Sequence, residues 1–294
     1  MRRPLRTSVL AAVAAILTAA ASVLIANPAA AAVTLFSQRQ VTQTVRVHAD
    51  EHGSATATCS PGETNSGGGF RVAGTTDPDA YTVLVSAPYG NGWNVQLYLD
   101  PALSYVDVTA YAVCLRKIVG DPTIGRRVVV LYATGPSGDV AAAAPMCDAT
   151  EVATGGGYAV PSISTNTYTV FVDAPQSANG WNVQLYSDYV PELWAYVVCL
   201  RVPADIGPVK RRTVYGAGLT HGGSTASTAA YCSATDEIAS GGGYVVASIN
   251  PHDYAVLSTV PAGTAAWKST FFLDEDPSLD IDVSSHVVCL KNLY

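Results

Sequence analysis

Three glycine triplets are the first residues whose type and spacing could do chemistry. "NSGGGFRV" holds Gly67, Gly68 and Gly69, "ATGGGYAV" holds Gly155, Gly156 and Gly157, and "ASGGGYVV" holds Gly241, Gly242 and Gly243. A glycine-rich loop cradles phosphate when it runs from a strand into a helix N-terminus, often through Gly-Lys-Ser/Thr. These triplets run instead into "FRVAG" or "YAVPSI", which read as strand. Glycine within a strand marks a bulge, a bend or the close approach of another group. A tryptophan follows each first glycine by 26 residues, at Trp93, Trp181 and Trp267. The spacing predicts that each indole covers the bare backbone of its own triplet. The triplets and tryptophans are therefore read as structural.

Catalytic constellations are sparse. The histidines are His48, His52, His221, His252 and His286, with no position recurring along the chain. There is no G-x-S-x-G and no H-E-x-x-H. No catalytic residue is assigned, and a non-enzyme is expected. Clustered carboxylates attract hard cations, and "LDEDPSLDID" offers Asp274, Glu275, Asp276, Asp280 and Asp282. EF-hand spacing is absent and the corresponding loops are less acidic, so a solvated turn built on Asp-Pro is preferred over calcium. No metal or other cofactor is expected.

A polar-aromatic face is more suggestive. "WNVQLYL" alternates with period two, placing Trp93, Val95, Leu97 and Leu99 on one side and Asn94, Gln96 and Tyr98 on the other. "WNVQLYS" repeats the pattern with Asn182, Gln184 and Tyr186. Amides beside tyrosines suit sugar hydroxyls and ring faces, although the same pattern describes an ordinary solvent-facing sheet. Sixteen tyrosines against five phenylalanines also favour rings with a wet end.

The cysteines reveal what must position these groups. Cys59, Cys114, Cys147, Cys199, Cys232 and Cys289 keep register with the triplets, and the closing phrases "YAVCLRK", "YVVCLRV" and "HVVCLKN" keep it too. Three tandem units of about 80–90 residues follow from this spacing. The simplest pairing is one disulfide per unit: Cys59–Cys114, Cys147–Cys199 and Cys232–Cys289. Each would contribute about 4 kcal/mol in the chain-entropy model. Zinc is excluded by spacing, because no two cysteines form a C-x₂₋₄-C pair.

Short strands with turns every 8–12 residues predict an all-β fold of three small antiparallel sandwiches packed together. "APYGNGW" contains an Asn-Gly pair that marks a tight turn. The closing strand is apolar on both faces, with Ala112 and Cys114 on one and Tyr111, Val113 and Leu115 on the other, which fits a central strand or one whose second face meets a neighbouring unit. The expected organisation is a signal peptide over 1–32 and units over 33–118, 122–204 and 208–294.

Arg2, Arg3 and Arg6 precede an apolar run from Ser8 to Ile25 and small-residue cleavage sites near Ala30–Val33, the pattern of a secretory signal peptide. Its removal would take the formal charge from −7 to −10. An acidic chain with only four lysines shows no basic face for nucleic acid and no polybasic patch for membranes. The mature chain is expected to be secreted, extracellular or loosely wall-associated, with no stable membrane insertion.

A cysteine followed by GGG-aromatic, then P…GW, then a closing A-[YH]-x-V-C strand resembles a repeat of uncharacterised secreted actinobacterial proteins. The resemblance implies a β-rich exported domain and carries no catalytic residue or ligand with it. The function expected from these readings is a secreted, non-catalytic binding or adhesion protein for carbohydrate or a cell-surface polymer. The alternatives are a self-assembling envelope component and, behind it, a hydrolytic enzyme.

Overall fold

The computed structural model describes residues 35–75, 77–118, 124–161, 168–176, 179–201, 209–233, 236–248, 253–274 and 280–291. The expected signal peptide, most of both linkers, His252, Glu275 and Asp276 lie outside the described residues.

Alternating burial builds eighteen strands among the described residues. The first unit holds β1 (Phe36–His48), β2 (His52–Thr58), β3 (Thr64–Ala73), β4 (Tyr81–Tyr89), β5 (Gly92–Leu99) and β6 (Tyr105–Lys117). The second holds β7 (Gly125–Thr134), β8 (Asp139–Ala143), β9 (Val152–Ala159), β10 (Tyr168–Gln176), β11 (Gly180–Ser187) and β12 (Glu192–Arg201). The third holds β13 (Arg211–His221), β14 (Thr225–Tyr231), β15 (Glu237–Val246), β16 (Tyr254–Pro261), β17 (Ala266–Leu273) and β18 (Asp280–Lys291). In β5, Trp93, Val95, Leu97 and Leu99 are fully buried while Gln96 is exposed, as the period-two pattern requires. The β4–β5 turn centres on Gly90-Asn91, one residue before the expected Asn-Gly pair, with Gly90 at φ 52°. Asn91 is otherwise engaged: its Oδ1 accepts from Asn65 N at 2.9 Å and its Nδ2 donates to Glu63 O at 2.9 Å.

All six cysteines pair within units, as Cys59–Cys114, Cys147–Cys199 and Cys232–Cys289. Beside each disulfide a bidentate arginine–carboxylate pair fixes the segment leading into the triplet strand: Arg39–Glu63, Arg127–Glu151 and Arg212–Glu237.

Each unit divides its strands between two three-stranded layers, and each layer continues into a neighbouring unit. Three six-stranded antiparallel sheets result, ordered β1-β6-β3-β16-β17-β14, β2-β5-β4-β9-β12-β7 and β13-β18-β15-β10-β11-β8. The seams are β3–β16, β4–β9 and β10–β15, so units one and two, two and three, and three and one are all hydrogen-bonded together. Sequence patterning indicated packed sandwiches; their sharing of sheets is a further property, carried by only two residue pairs at each seam.

The triplets meet where the units converge. A bulge precedes each one, at Ser66, Thr154 and Ser240, and turns that hydroxyl inward. Ser66 Oγ donates to Ser240 O at 2.7 Å, Ser240 Oγ to Thr154 O at 3.1 Å, and Thr154 Oγ1 to Ser66 O at 2.7 Å, closing a buried cycle through all three units. A β-carbon on Gly155 would stand 2.6 Å from Gly67 Cα and from Ser66 O, so a side chain has no room. The second glycine of each triplet, Gly68, Gly156 or Gly242, lies under the indole of its own unit, Trp93, Trp181 or Trp267. The third packs against the next unit: Gly157 faces the far edge of Trp93, Gly243 that of Trp181, and Gly69 that of Trp267. Each indole thus bridges two triplets, one from its own unit and one from a neighbour.

Tyrosines cross the same boundaries. Tyr81 Oη donates to Val256 O at 3.0 Å, Tyr168 to Val83 O at 3.2 Å and Tyr244 to Val170 O at 3.1 Å. Gln38 Nε2 reaches Ala239 O, and Arg126 Nε reaches Asn65 O, from the opening strands. Gly156→Ala is expected to lower unfolding free energy by about 3 kcal/mol, at the upper end for overpacking, because neither Trp181 nor the Tyr196 carbonyl can withdraw. Chemical denaturation followed by tryptophan fluorescence measures this loss; an unchanged midpoint would refute the close-approach role.

Candidate binding surface

Register across the sheets aligns one residue from each of six strands on the outer face. On the sheet shared by units one and two the row is Tyr132–Trp194–Ala159–Val85–Gln96–Ser54. On the sheet shared by units three and one the corresponding row is Thr44–Thr109–Arg71–Ser258–Thr270–Ser227. On the third sheet it is Ala217–Ser284–Val245–Val172–Gln184–Ala142. At a strand spacing near 4.8 Å each row is about 24 Å long. One backbone frame therefore presents an aromatic row, a hydroxyl-rich cationic row and a mostly small, apolar row.

The aromatic row follows a groove of about 310 Å³ over the seam, lined by Val85, Tyr89, Gln96, Pro161, Trp194 and Tyr196. Trp194 is 42% exposed and Tyr132 52%. Their rings meet edge to face at 6.4 Å, so each restricts the other's rotation. Tyr89 at the end of β4 is more exposed still, at 68%. A groove with an exposed indole at one end and an exposed amide at the other offers stacking and hydrogen bonding together.

The residues singled out in the sequence divide by role. Gln96 is exposed in the groove. Asn94 touches the same groove, but its Nδ2 is committed to Ser54 Oγ and Thr56 Oγ1, both at 2.8 Å. Tyr98 donates to Asp50 Oδ1 at 2.8 Å and packs its ring against His52 at 4.9 Å. On the third sheet Asn182, Gln184 and Tyr186 are half-buried, with Tyr186 Oη on Asp188 Oδ1. The two Asn/Gln/Tyr sets lie on different sheets and form no joint site. Sequence patterning does not single out Trp194, Tyr132, Tyr89 or Tyr196; the first and last carry a signal in the phrase "ELWAY", whose tryptophan stands outside the 26-residue spacing.

The described histidines are dispersed. His221 Nδ1 pairs with Asp280, one of the carboxylates of the acidic run, while the nearby Ser224 Oγ donates to the His221 backbone carbonyl. His286 meets Ser284 Oγ at 3.0 Å, and burial pushes its imidazole pKa down to about 4. Cys147, Glu151 and Cys199 lie close together, as do Cys232, Glu237 and Cys289, but the sulfurs are joined in disulfides and both carboxylates hold arginines. Among the described residues no helix is long and apolar enough to cross a membrane. Comparison with known proteins matches the chain to no protein family and to no curated protein.

One buried group is tuned by the seam. Each bridging indole donates its Nε1–H to a residue on the preceding strand: Ser86 for Trp93, Thr259 for Trp267 and Asp173 for Trp181. Asp173 is 2% exposed, and desolvation pushes its pKa up to about 8, against the opposing hydrogen bond from the indole. The neighbouring phenols of Tyr158 and Tyr244 are raised by burial and stay neutral over the same range. A carboxyl with folded pKa near 8 and unfolded pKa near 3.8 holds a proton in the folded state alone between those values, so stability falls as pH rises between them. His286 has the opposite sign, since its unfolded form binds the extra proton between pH about 4 and 6.5. The two offset each other up to about pH 6.5, and the loss from Asp173 emerges above it, at about 1.4 kcal/mol per pH unit to about pH 8. Asp173→Thr, which places the third unit's acceptor here, is expected to abolish that decline. Denaturation midpoints at pH 6.5 and 8 test it, and a decline that persists in the variant would count against the assignment.

Proposed function

We propose that the chain is an extracellular, non-catalytic carbohydrate-binding protein that lays a glycan along the Tyr132–Trp194–Gln96 row. The observation that carries the reading is the exposed Trp194 indole, packed edge to face against Tyr132 and aligned across the seam groove with Gln96. An exposed indole stacks on the apolar side of a sugar, and the amide supplies donors and an acceptor to its hydroxyls. Three disulfides and the signal-like opening of the chain support export. The recurring spacing marks a triplicated unit, in which this sheet has acquired aromatic residues where its counterparts carry Thr109 and Ser284.

A second reading, self-association in an envelope layer, is favoured by the edge strand β7, which exposes Val130 and Leu131 beside Tyr132. Mass spectrometry of the exported product is expected to place its N-terminus between Ala30 and Val33. On a panel of neutral oligosaccharides and cell-wall glycans, the mature protein is expected to bind, and Trp194→Ala to weaken binding about tenfold or more. No binding across the panel would sink the carbohydrate reading. Concentration-dependent assembly in sedimentation without glycan binding would favour the second.

A further inference from the structure

The groove over the seam of units three and one has a chemistry of its own. It occupies about 500 Å³ and is lined by Arg71, Tyr111, Ser227, Ser258, Lys268 and Thr270. Arg71 stands where the aromatic groove has Ala159, and Lys268 where it has Asn94, so two corresponding positions have both become cationic in one groove. Both side chains are exposed, and among the described residues no carboxylate pairs with either. Asp107, two residues along β6 from Thr109, is engaged by Arg46 at 2.9 Å. In a chain of formal charge −7 with four lysines, two unneutralised cations in one concavity form a local positive site. Around them run hydroxyls: Thr44 and Thr109 Oγ1 atoms stand 2.8 Å apart at one end of the row, and Ser227 Oγ and Thr270 Oγ1 3.0 Å apart at the other.

We propose that this groove binds an anionic, hydroxylated polymer, with its oxyanions on Arg71 and Lys268 and its hydroxyls on the Thr/Ser row. The two cations lie on strands β3 and β17, two strand spacings across the sheet and two residues apart along it, or about 12 Å between backbone positions. That separation suits successive charges on a polymer better than one compact anion. The guanidinium provides paired donors for a carboxylate or phosphate, while the ammonium acts as a point charge. The chemistry shared by uronate and phosphate polymers is an oxyanion on a hydroxylated chain, and the two sources are separated experimentally. The site lies on a different sheet from Trp194 and does not depend on the neutral-sugar reading.

Calorimetric titration of the mature protein with polygalacturonate, with poly(glycerol phosphate) and with neutral dextran tests the proposal at low and high salt. Binding to one or both anionic polymers, weakened by salt, is expected, and whichever binds identifies the oxyanion. Dextran is expected not to compete for the site. Arg71→Gln with Lys268→Gln is expected to weaken anion binding about tenfold or more, because charge-assisted contacts are lost. Arg71→Lys alone is expected to retain part of it. Absence of binding to both anionic polymers at low salt overturns the proposal, as does equal binding by the wild type and the double variant. Competition by dextran at equal strength also overturns it.

Discussion

The whole structure depends on backbone meeting backbone where the three units converge. Gly67, Gly155 and Gly241 approach so closely that a β-carbon on any of them would collide with a neighbouring triplet or the residue before it. With the backbones this near, the preceding hydroxyls can close a hydrogen-bond cycle that would otherwise leave buried polar groups unpaired. The same proximity lets one indole cover two units. Removing the side chains from nine positions thus determines how the three seams form, and the seams determine the outer grooves.

On that shared frame, function-bearing residues have been free to differ. The inner faces keep the same pattern of buried positions, with Trp93, Trp181 and Trp267 in the same role. The outer rows do not, because outward positions are constrained only by solvent and by whatever they touch. Trp194, Thr109 and Ser284 occupy corresponding places, yet only the first offers a large ring face. Asp173 shows the reverse case, a buried position that tolerated a carboxyl in place of a hydroxyl and became sensitive to pH as a result.

Much of the architecture was legible from spacing alone. Period-two alternation in "WNVQLYL", the disulfide partners and a tryptophan over each triplet all follow from local pattern plus internal register. The sharing of sheets was not legible, since each seam rests on two residue pairs per strand pair, such as Ser258 with Arg71 and Thr259 with Phe70, which carry no local signal. The hydroxyl cycle left a trace that went unread: Ser66, Thr154 and Ser240 each immediately precede a triplet. The outer face was read only in part. Gln96 was found because its alternation repeats, and Trp194 was missed because it breaks the repeat.

The seam between β16 and β3 is made by segments from opposite ends of the described chain, yet it has the form of the two seams between consecutive units. Covalent continuity is therefore not what holds the ring shut. The same strand pairing closes it whether the two strands belong to consecutive units or not. A lone unit, by contrast, would present two raw sheet edges, β3 and β4, each shaped to receive another copy. Three such copies on separate chains could satisfy one another as the three units of this single chain do.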